Sequence, residues 1–89
     1  MITVTTNSLK KGTFIRLRNG WDAEIFDNMK GNTRLAKVYG FETEIGSVYS
    51  HDIVAQLNGI GGQVIARVEH TAAQLKCQQF ANDLYSSLR

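Results

Sequence analysis

The chain has 89 residues and a formal net charge of +2, with 43% hydrophobic and 20% charged residues. A chain of this length is too short for two independent cores, and its ordinary composition excludes a disordered or low-complexity protein. Its apolar runs span only a few residues, whereas a membrane-crossing helix needs about 20. The sequence therefore predicts a single domain over residues 1–89, without a transmembrane helix.

The N-terminal residues and the cysteine content indicate a compartment. Residues 1–12 lack the basic start, apolar stretch and small-residue cleavage site of a secretory signal. Cys77 is the only cysteine, so no intrachain disulfide can form and a reducing cytoplasm is the expected location. A core of this size lies close to the lower limit for an independent fold, which leaves homodimerisation open.

The first half of the chain predicts a β-meander. Residues 13–18 alternate between two faces and end at an Asn-Gly pair, which favours a two-residue type I′ hairpin turn. Residues 21–27 are expected to return antiparallel to the first strand. A second turn at 28–32 then leads into a strand over 33–41, which is rich in residues that pack well on a pleated sheet.

The second half predicts shorter strands. Residues 44–49 and 53–57 are strand candidates, and residues 50–52 between them form either a tight helical turn or a bend. A glycine-dense loop over 58–62 precedes another strand at 63–68.

A C-terminal helix is predicted over about residues 71–88. Thr71 and Gln74 have the spacing of a capping box, in which each side chain accepts a hydrogen bond from the other residue's backbone N–H. Apolar residues then recur at helical spacing: Ala73, Cys77, Phe80, Leu84 and Leu88. The predicted fold class is mainly β with a C-terminal α-helix (α+β). It is either a small antiparallel curved sheet or an SH3-like barrel, over about residues 13–68, packed with one helix.

Basic residues concentrate in the first half of the chain. Residues 1–40 carry seven Lys or Arg and three Asp or Glu, whereas residues 41–89 carry three and five. The predicted hairpin has a basic and aromatic face, formed by Phe14, Arg16, Arg18, Glu24 and Phe26, with Lys37 and Tyr39 on the next strand. Such a face suits nucleic acid, because cations neutralise phosphates and aromatic rings stack on bases. Alternatively, the C-terminal helix covers the two phenylalanines and the arginines form a solvated rim.

Other candidate sites are incomplete. The basic glycine turn at 30–34 lacks the GxxxxGK[ST] pattern of a phosphate-binding loop, and the loop at 58–62 lacks GxGxxG. His51, Asp52, His70 and Cys77 match neither a common zinc pattern nor a catalytic set. The sequence therefore predicts no catalytic residue, cofactor or metal. Trp21 either anchors a partner or caps the end of the sheet.

The stretch DNMKGNTRLAKVYGFETEIGSVYSHDIV, followed by VEHTAAQLK, resembles a pattern among small uncharacterised proteins of tailed bacteriophages, over about residues 12–80. That family has no assigned catalytic residues, so the resemblance implies a phage setting, in the cytoplasm of a bacterial host cell, and no residue roles. It implies stoichiometric action on a host enzyme, on a defence complex such as CRISPR machinery, or on nucleic acid. The strand pattern is also similar to KOW-type SH3-like barrels of translation and transcription factors, from which the chain departs by its terminal helix.

Together these features predict a non-enzymatic phage-type accessory protein that docks on a host or defence protein and modulates or inhibits it. The alternative is a nucleic-acid-binding SH3/KOW-like module that uses the basic aromatic sheet face, and a virion component stays open. Arginine and aromatic residues carry much of the energy of protein interfaces. The residues predicted to contact the partner are Phe14, Arg16, Arg18, Trp21, Lys30, Arg34 and Tyr39.

Overall fold

The computed structural model describes residues 2–27 and 32–87, except for the side chains of residues 81 and 85–87. Within these residues, seven strands form a single curved sheet in the order β1-β7-β6-β2-β3-β4-β5. The elements are β1 (Thr3–Thr5), a first 3-10 turn (Thr6–Ser8), β2 (Phe14–Leu17), β3 (Asp22–Asp27), β4 (Thr33–Tyr39), β5 (Thr43–Tyr49), a second 3-10 turn (Ser50–Asp52), β6 (Ile53–Leu57), β7 (Val64–Glu69) and α1 (Ala72–Ser87).

The predicted fold class is confirmed: the chain is mainly β with one C-terminal helix. Of the two predicted architectures, the curved sheet is the one observed, because β1 and β5 are separate edges and the sheet does not close into a barrel. A small β-rich domain with a helix is nevertheless compatible with an SH3-like fold. The meander from β2 to β5 is antiparallel throughout, as the alternation and the turn residues predicted.

The first hairpin turn differs from the predicted type I′. That turn needs positive φ at both central residues, but Gly20 is the only residue of this loop in the left-handed region, with φ +93°. The Leu17 N–H donates to the Trp21 carbonyl at 2.7 Å, and the Gly20 N–H donates to the Leu17 carbonyl at 2.9 Å. The connection is therefore a three-residue loop that ends in glycine. It places Arg18 at the first position after β2.

The N-terminal strand lies outside the predicted sheet boundaries of 13–68. β1 pairs in parallel with β7, with Val4 opposite Val68. Three residues are too few to show a period-two pattern, and the partner strand lies more than sixty residues away in the sequence. This long-range pairing makes the sheet mixed rather than purely antiparallel.

The main apolar cluster lies on one side of the sheet. Ile15, Ile25, Ala36 and Ile53 are fully buried, together with Leu9 from the loop before β2. Directly opposed residues of neighbouring strands face the same side of a sheet, and the register places Ile25 opposite Ala36. Val38 on β4 and Val48 on β5 extend this apolar layer toward the β5 edge of the sheet, and both are only partly buried.

The C-terminal helix begins with the predicted capping box. The Gln74 N–H donates to Thr71 Oγ1 at 3.2 Å, and the Thr71 N–H donates to Gln74 Oε1 at 2.9 Å. The helix packs mainly against the second 3-10 turn, which confirms the helical alternative for residues 50–52. Its apolar stripe does not fill the core, because Phe80 remains 67% exposed and Leu84 50% exposed.

Candidate functional site

An exposed aromatic cluster lies where the first hairpin meets the β4–β5 turn. The indole of Trp21 is 40% exposed and meets the ring of Phe41 edge-to-face, with centroids 5.6 Å apart and planes at 81°. Phe41 itself is 98% exposed, an unusual position for so large an apolar side chain. Rings of this kind gain energy when a partner covers them, because each can bury about 150–250 Å².

The backbone holds Trp21 in this position. Its N–H donates to Asn19 Oδ1 at 3.1 Å, which fixes the exit from the hairpin loop. The indole lies directly against Gly40, where an added Cβ would come within 2.7 Å of Trp21 Cε3 and Cζ3. Glycine at position 40 is therefore required for the ring to pack flat on the chain.

Two pockets flank the indole. The larger has a volume of about 460 Å³, within the range of small-molecule sites. It is lined by Leu17, Arg18, Asn19, Trp21, Val38, Ser47, Val48, Tyr49 and Asp52. The smaller, of about 260 Å³, is lined by Trp21, Phe41, Glu42 and Glu44. We refer to the exposed residues Arg18, Trp21, Phe41 and Tyr49 as the aromatic surface.

Arg18, the positively charged residue of the aromatic surface, is held in place by the second 3-10 turn. Arg18 Nη2 donates to the His51 carbonyl at 2.6 Å, and Arg18 Nε lies 3.4 Å from Asp52 Oδ1. The imidazole of His51 stacks on Tyr49, with centroids 5.0 Å apart and planes at 15°. The arginine and the tyrosine therefore approach the pocket from a rigid support, although both remain exposed to a partner.

Arg16 lies on the other face of the sheet and has a different role. Its Nε is 2.9 Å from Asp22 Oδ1, and the same carboxylate accepts a hydrogen bond from the Gly61 N–H at 2.7 Å. Hydrogen bonding to Arg16 holds the pKa of Asp22 below its usual range, and the pKa of Arg16 is correspondingly raised. Arg16 and Asp22 thus join the first hairpin to the glycine loop.

Arg34 does not belong to any surface, since it is only 1% exposed. Its Nη1 donates to the Thr33 carbonyl at 2.8 Å and to Ser50 Oγ at 2.9 Å, while Nη2 donates to Asn7 Oδ1 at 2.6 Å. Burial lowers the pKa of its guanidinium. The prediction of Arg34 as a partner contact is inconsistent with this position, because the side chain ties β4 to both 3-10 turns.

The remaining predicted contact residues are dispersed. Phe14 lies opposite Glu24, and Tyr39 lies opposite Asp22, so both share the face of Arg16 and both are half-buried. The ammonium of Lys37 lies 5.5 Å from the centroid of the Tyr39 ring. Lys30 falls outside the described residues, as does Gly31, the next residue of the basic glycine turn at 30–34. Of the predicted set, only Arg18 and Trp21 therefore line the same pocket.

The histidines and the cysteine are separated in the fold. His51 is buried and its Nδ1 has no hydrogen-bond partner among the described residues, while His70 Nε2 lies 2.8 Å from the Ile53 carbonyl. Cys77 is a half-buried free thiol on α1. Within residues 2–27 and 32–87, no three His, Cys, Asp or Glu side chains are grouped closely enough to hold a metal ion.

No protein-family model, curated protein or solved structure matches this chain. The helix in the described part of the chain lacks the length and apolar character needed to span a bilayer.

Phe41 and Tyr49 belong to the site but were absent from the predicted contact set. The sequence places Phe41 at the end of the predicted strand over 33–41, and that position does not indicate whether its side chain is exposed. Tyr49 ends the predicted strand over 44–49. The sequence does not show which side of the sheet its side chain occupies, because it does not identify the neighbours of that strand. The signal that could have identified Phe41 is Gly40, since a glycine beside two aromatic residues is typical of close packing against the backbone.

Proposed function

We propose that this chain is a non-enzymatic binding protein that docks on a protein partner through the aromatic surface. The observation that carries the proposal is the exposed Trp21–Phe41 pair beside a pocket whose rim holds Arg18 and Tyr49. Tryptophan, tyrosine and arginine are the residue types most enriched at the energetic centres of protein interfaces. The resemblance to small tailed-phage proteins supports the finer proposal, which is a host or defence protein as the partner.

The charge distribution favours a protein partner over nucleic acid. A phosphate-binding face needs cations without acids between them. On the face predicted for nucleic acid, however, Arg16 is paired with Asp22, and Glu24 lies between Phe14 and Lys37 across three strands. On this face, Asp22 and Glu24 thus offset the charges of Arg16 and Lys37.

The edge of the sheet also favours a polypeptide. β5 is an edge strand of seven residues that contains neither proline nor lysine, the residues that commonly protect such edges. Its Ile45 is exposed, and Tyr49 at its end belongs to the aromatic surface. A polypeptide can pair with the free main-chain groups of an edge strand and fill the neighbouring pocket with a side chain, which nucleic acid cannot do.

The test is affinity capture from bacterial lysate with the tagged chain, with and without nuclease and at low and high salt, analysed by mass spectrometry. Phe41→Ala removes the most exposed ring, and Ile65→Ala is the matched control, because Ile65 is an exposed apolar residue of β7, separated from β5 by four strands. We expect a discrete protein that survives nuclease and salt with the original chain and with Ile65→Ala, but is lost with Phe41→Ala.

Two results would contradict the proposal. Recovery of nucleic acid alone, released by salt, would favour the SH3/KOW-like module, because phosphate contacts weaken steeply with ionic strength. Equal capture by Phe41→Ala and Ile65→Ala would show that a partner exists but binds elsewhere on the chain.

A further inference from the structure

The C-terminal helix carries an apolar stripe beside its contact with the second 3-10 turn. The body of the protein buries Gln74 in the first turn of α1, and Cys77 and Gln78 are half-buried. Farther along the helix, every described side chain from Gln79 to Leu84 is exposed, including Phe80 at 67%. A helix with an apolar stripe normally covers that stripe against another element. Within the described chain, α1 does not do so.

The stripe has the spacing of a two-helix seam. Ala73 and Phe80 fall at d positions of a heptad, and Cys77 and Leu84 fall at a positions. The two charges of the described helix both lie along one flank of this seam. Lys76 and Asp83 are both at g positions, seven residues apart, and both are exposed.

We propose that α1 pairs with α1 of a second copy of this chain, antiparallel and about a two-fold axis. In this arrangement Cys77 packs in the layer of Phe80 of the second copy, and Ala73 packs in the layer of its Leu84. A two-fold interface is self-complementary, so each contact occurs twice. Two apolar layers on each side of the axis then cover the stripe that the monomer exposes.

Charge complementarity selects this occupant and this direction. Antiparallel helices bring g positions opposite g positions, so Lys76 of each copy meets Asp83 of the other. Parallel helices would instead bring each g residue opposite an e residue of the second copy. Lys76 and Asp83 of the two copies would then not lie opposite each other. The charges of one chain thus complement a second copy of the same chain only in the antiparallel direction.

The test is sedimentation equilibrium of the purified full chain over the micromolar to millimolar range, with charge reversals on the flank. We expect a reversible dimer. Lys76→Asp or Asp83→Lys alone replaces two attractive pairs by two repulsive ones, and each should raise the dissociation constant about tenfold. The double reversal restores opposite charges and should return the dissociation constant to near its original value.

Substitutions in the stripe provide the second test. Phe80→Glu should abolish the dimer, whereas Leu75→Glu, a matched control on the opposite side of the helix and itself 51% exposed, should leave it unchanged. Circular dichroism should show that both variants keep the helix. A monomer at all concentrations, equal effects of the two variants, or a dimer insensitive to charge reversal would overturn the proposal. Both substitutions lie outside the aromatic surface. The dimer test can therefore fail while the partner is still captured, and capture can fail while the dimer still forms.

Discussion

Replacing the buried Arg34 tests how the two 3-10 turns are held against the sheet. We expect Arg34→Met to destabilise the protein strongly, although methionine is apolar and of similar length. The substitution removes the guanidinium that donates to the Thr33 carbonyl, Ser50 Oγ and Asn7 Oδ1. The buried hydroxyl of Ser50 then loses the hydrogen bond that Arg34 Nη1 donates to it.

The magnitude follows from these three bonds. A hydrogen bond from a charged donor contributes about 1.5 kcal/mol net, so three contribute about 4 to 5 kcal/mol. Removing the buried charge offsets part of this loss, because burial disfavours the charged guanidinium and lowers its pKa. The expected loss in the free energy of unfolding is therefore about 3 kcal/mol, or about 12 to 24 °C in Tm for a domain of this size.

The assay is urea denaturation followed by circular dichroism, with Arg18→Met as the matched control. Arg18 also donates to a carbonyl and contacts a carboxylate, but its side chain is 47% exposed. Its loss should therefore change the free energy of unfolding by less than about 1 kcal/mol. Equal denaturation midpoints for the two variants would refute the reasoning, because Arg34 is buried and makes three hydrogen bonds, whereas Arg18 is half-exposed and makes one.

Three further changes test other parts of the fold. Asp22→Asn should destabilise the protein more at pH 7 than at pH 3, because Arg16 depresses the folded pKa of Asp22. That contribution is present above the unfolded pKa near 4 and is lost as the pH falls through the folded value. Urea midpoints at both pH values measure it, and an equal loss at each would contradict it. Gly40→Ala should displace the indole and red-shift the emission of Trp21, the only tryptophan, whereas an unchanged spectrum would mean that the ring does not pack there. Thr71→Ala should cost about 1 kcal/mol through loss of the helix cap, visible as reduced helical signal on mild heating; no change would show that the capping bond is not formed in solution.

The sequence predicted those features that depend on neighbours close in the chain. The capping box of Thr71 and Gln74 is an example, since both partners lie within one helical turn. It also predicted a loop at Gly20 but assigned the wrong turn, because an Asn-Gly pair is compatible with more than one loop length. The pairing of β2 with β3 on either side of the loop decided between these loop lengths. The three-residue loop lets the Leu17 N–H reach the Trp21 carbonyl.

The candidate site was predicted less well than the fold. Arg18 and Trp21 were identified by residue type, which is a local property. Arg34 was assigned to the surface because charged residues are seldom buried, although its alternation with Ala36 and Val38 places it on the core face of β4. Whether an arginine on that face is buried depends on Asn7 and Ser50, which reach it only after the sheet has formed.

By itself, the sequence determined where strands β2 to β7 lie along the chain, the terminal helix and the small size of the core. All of these follow from alternation, turn residues and helical spacing. The tertiary structure alone decided that β1 pairs with β7, that Arg34 is internal, that Trp21 meets Phe41, and that the stripe of α1 lies outside the core. Each of these depends on contacts between residues distant in the chain, or on which surface another element leaves uncovered. A local sequence pattern contains neither kind of information.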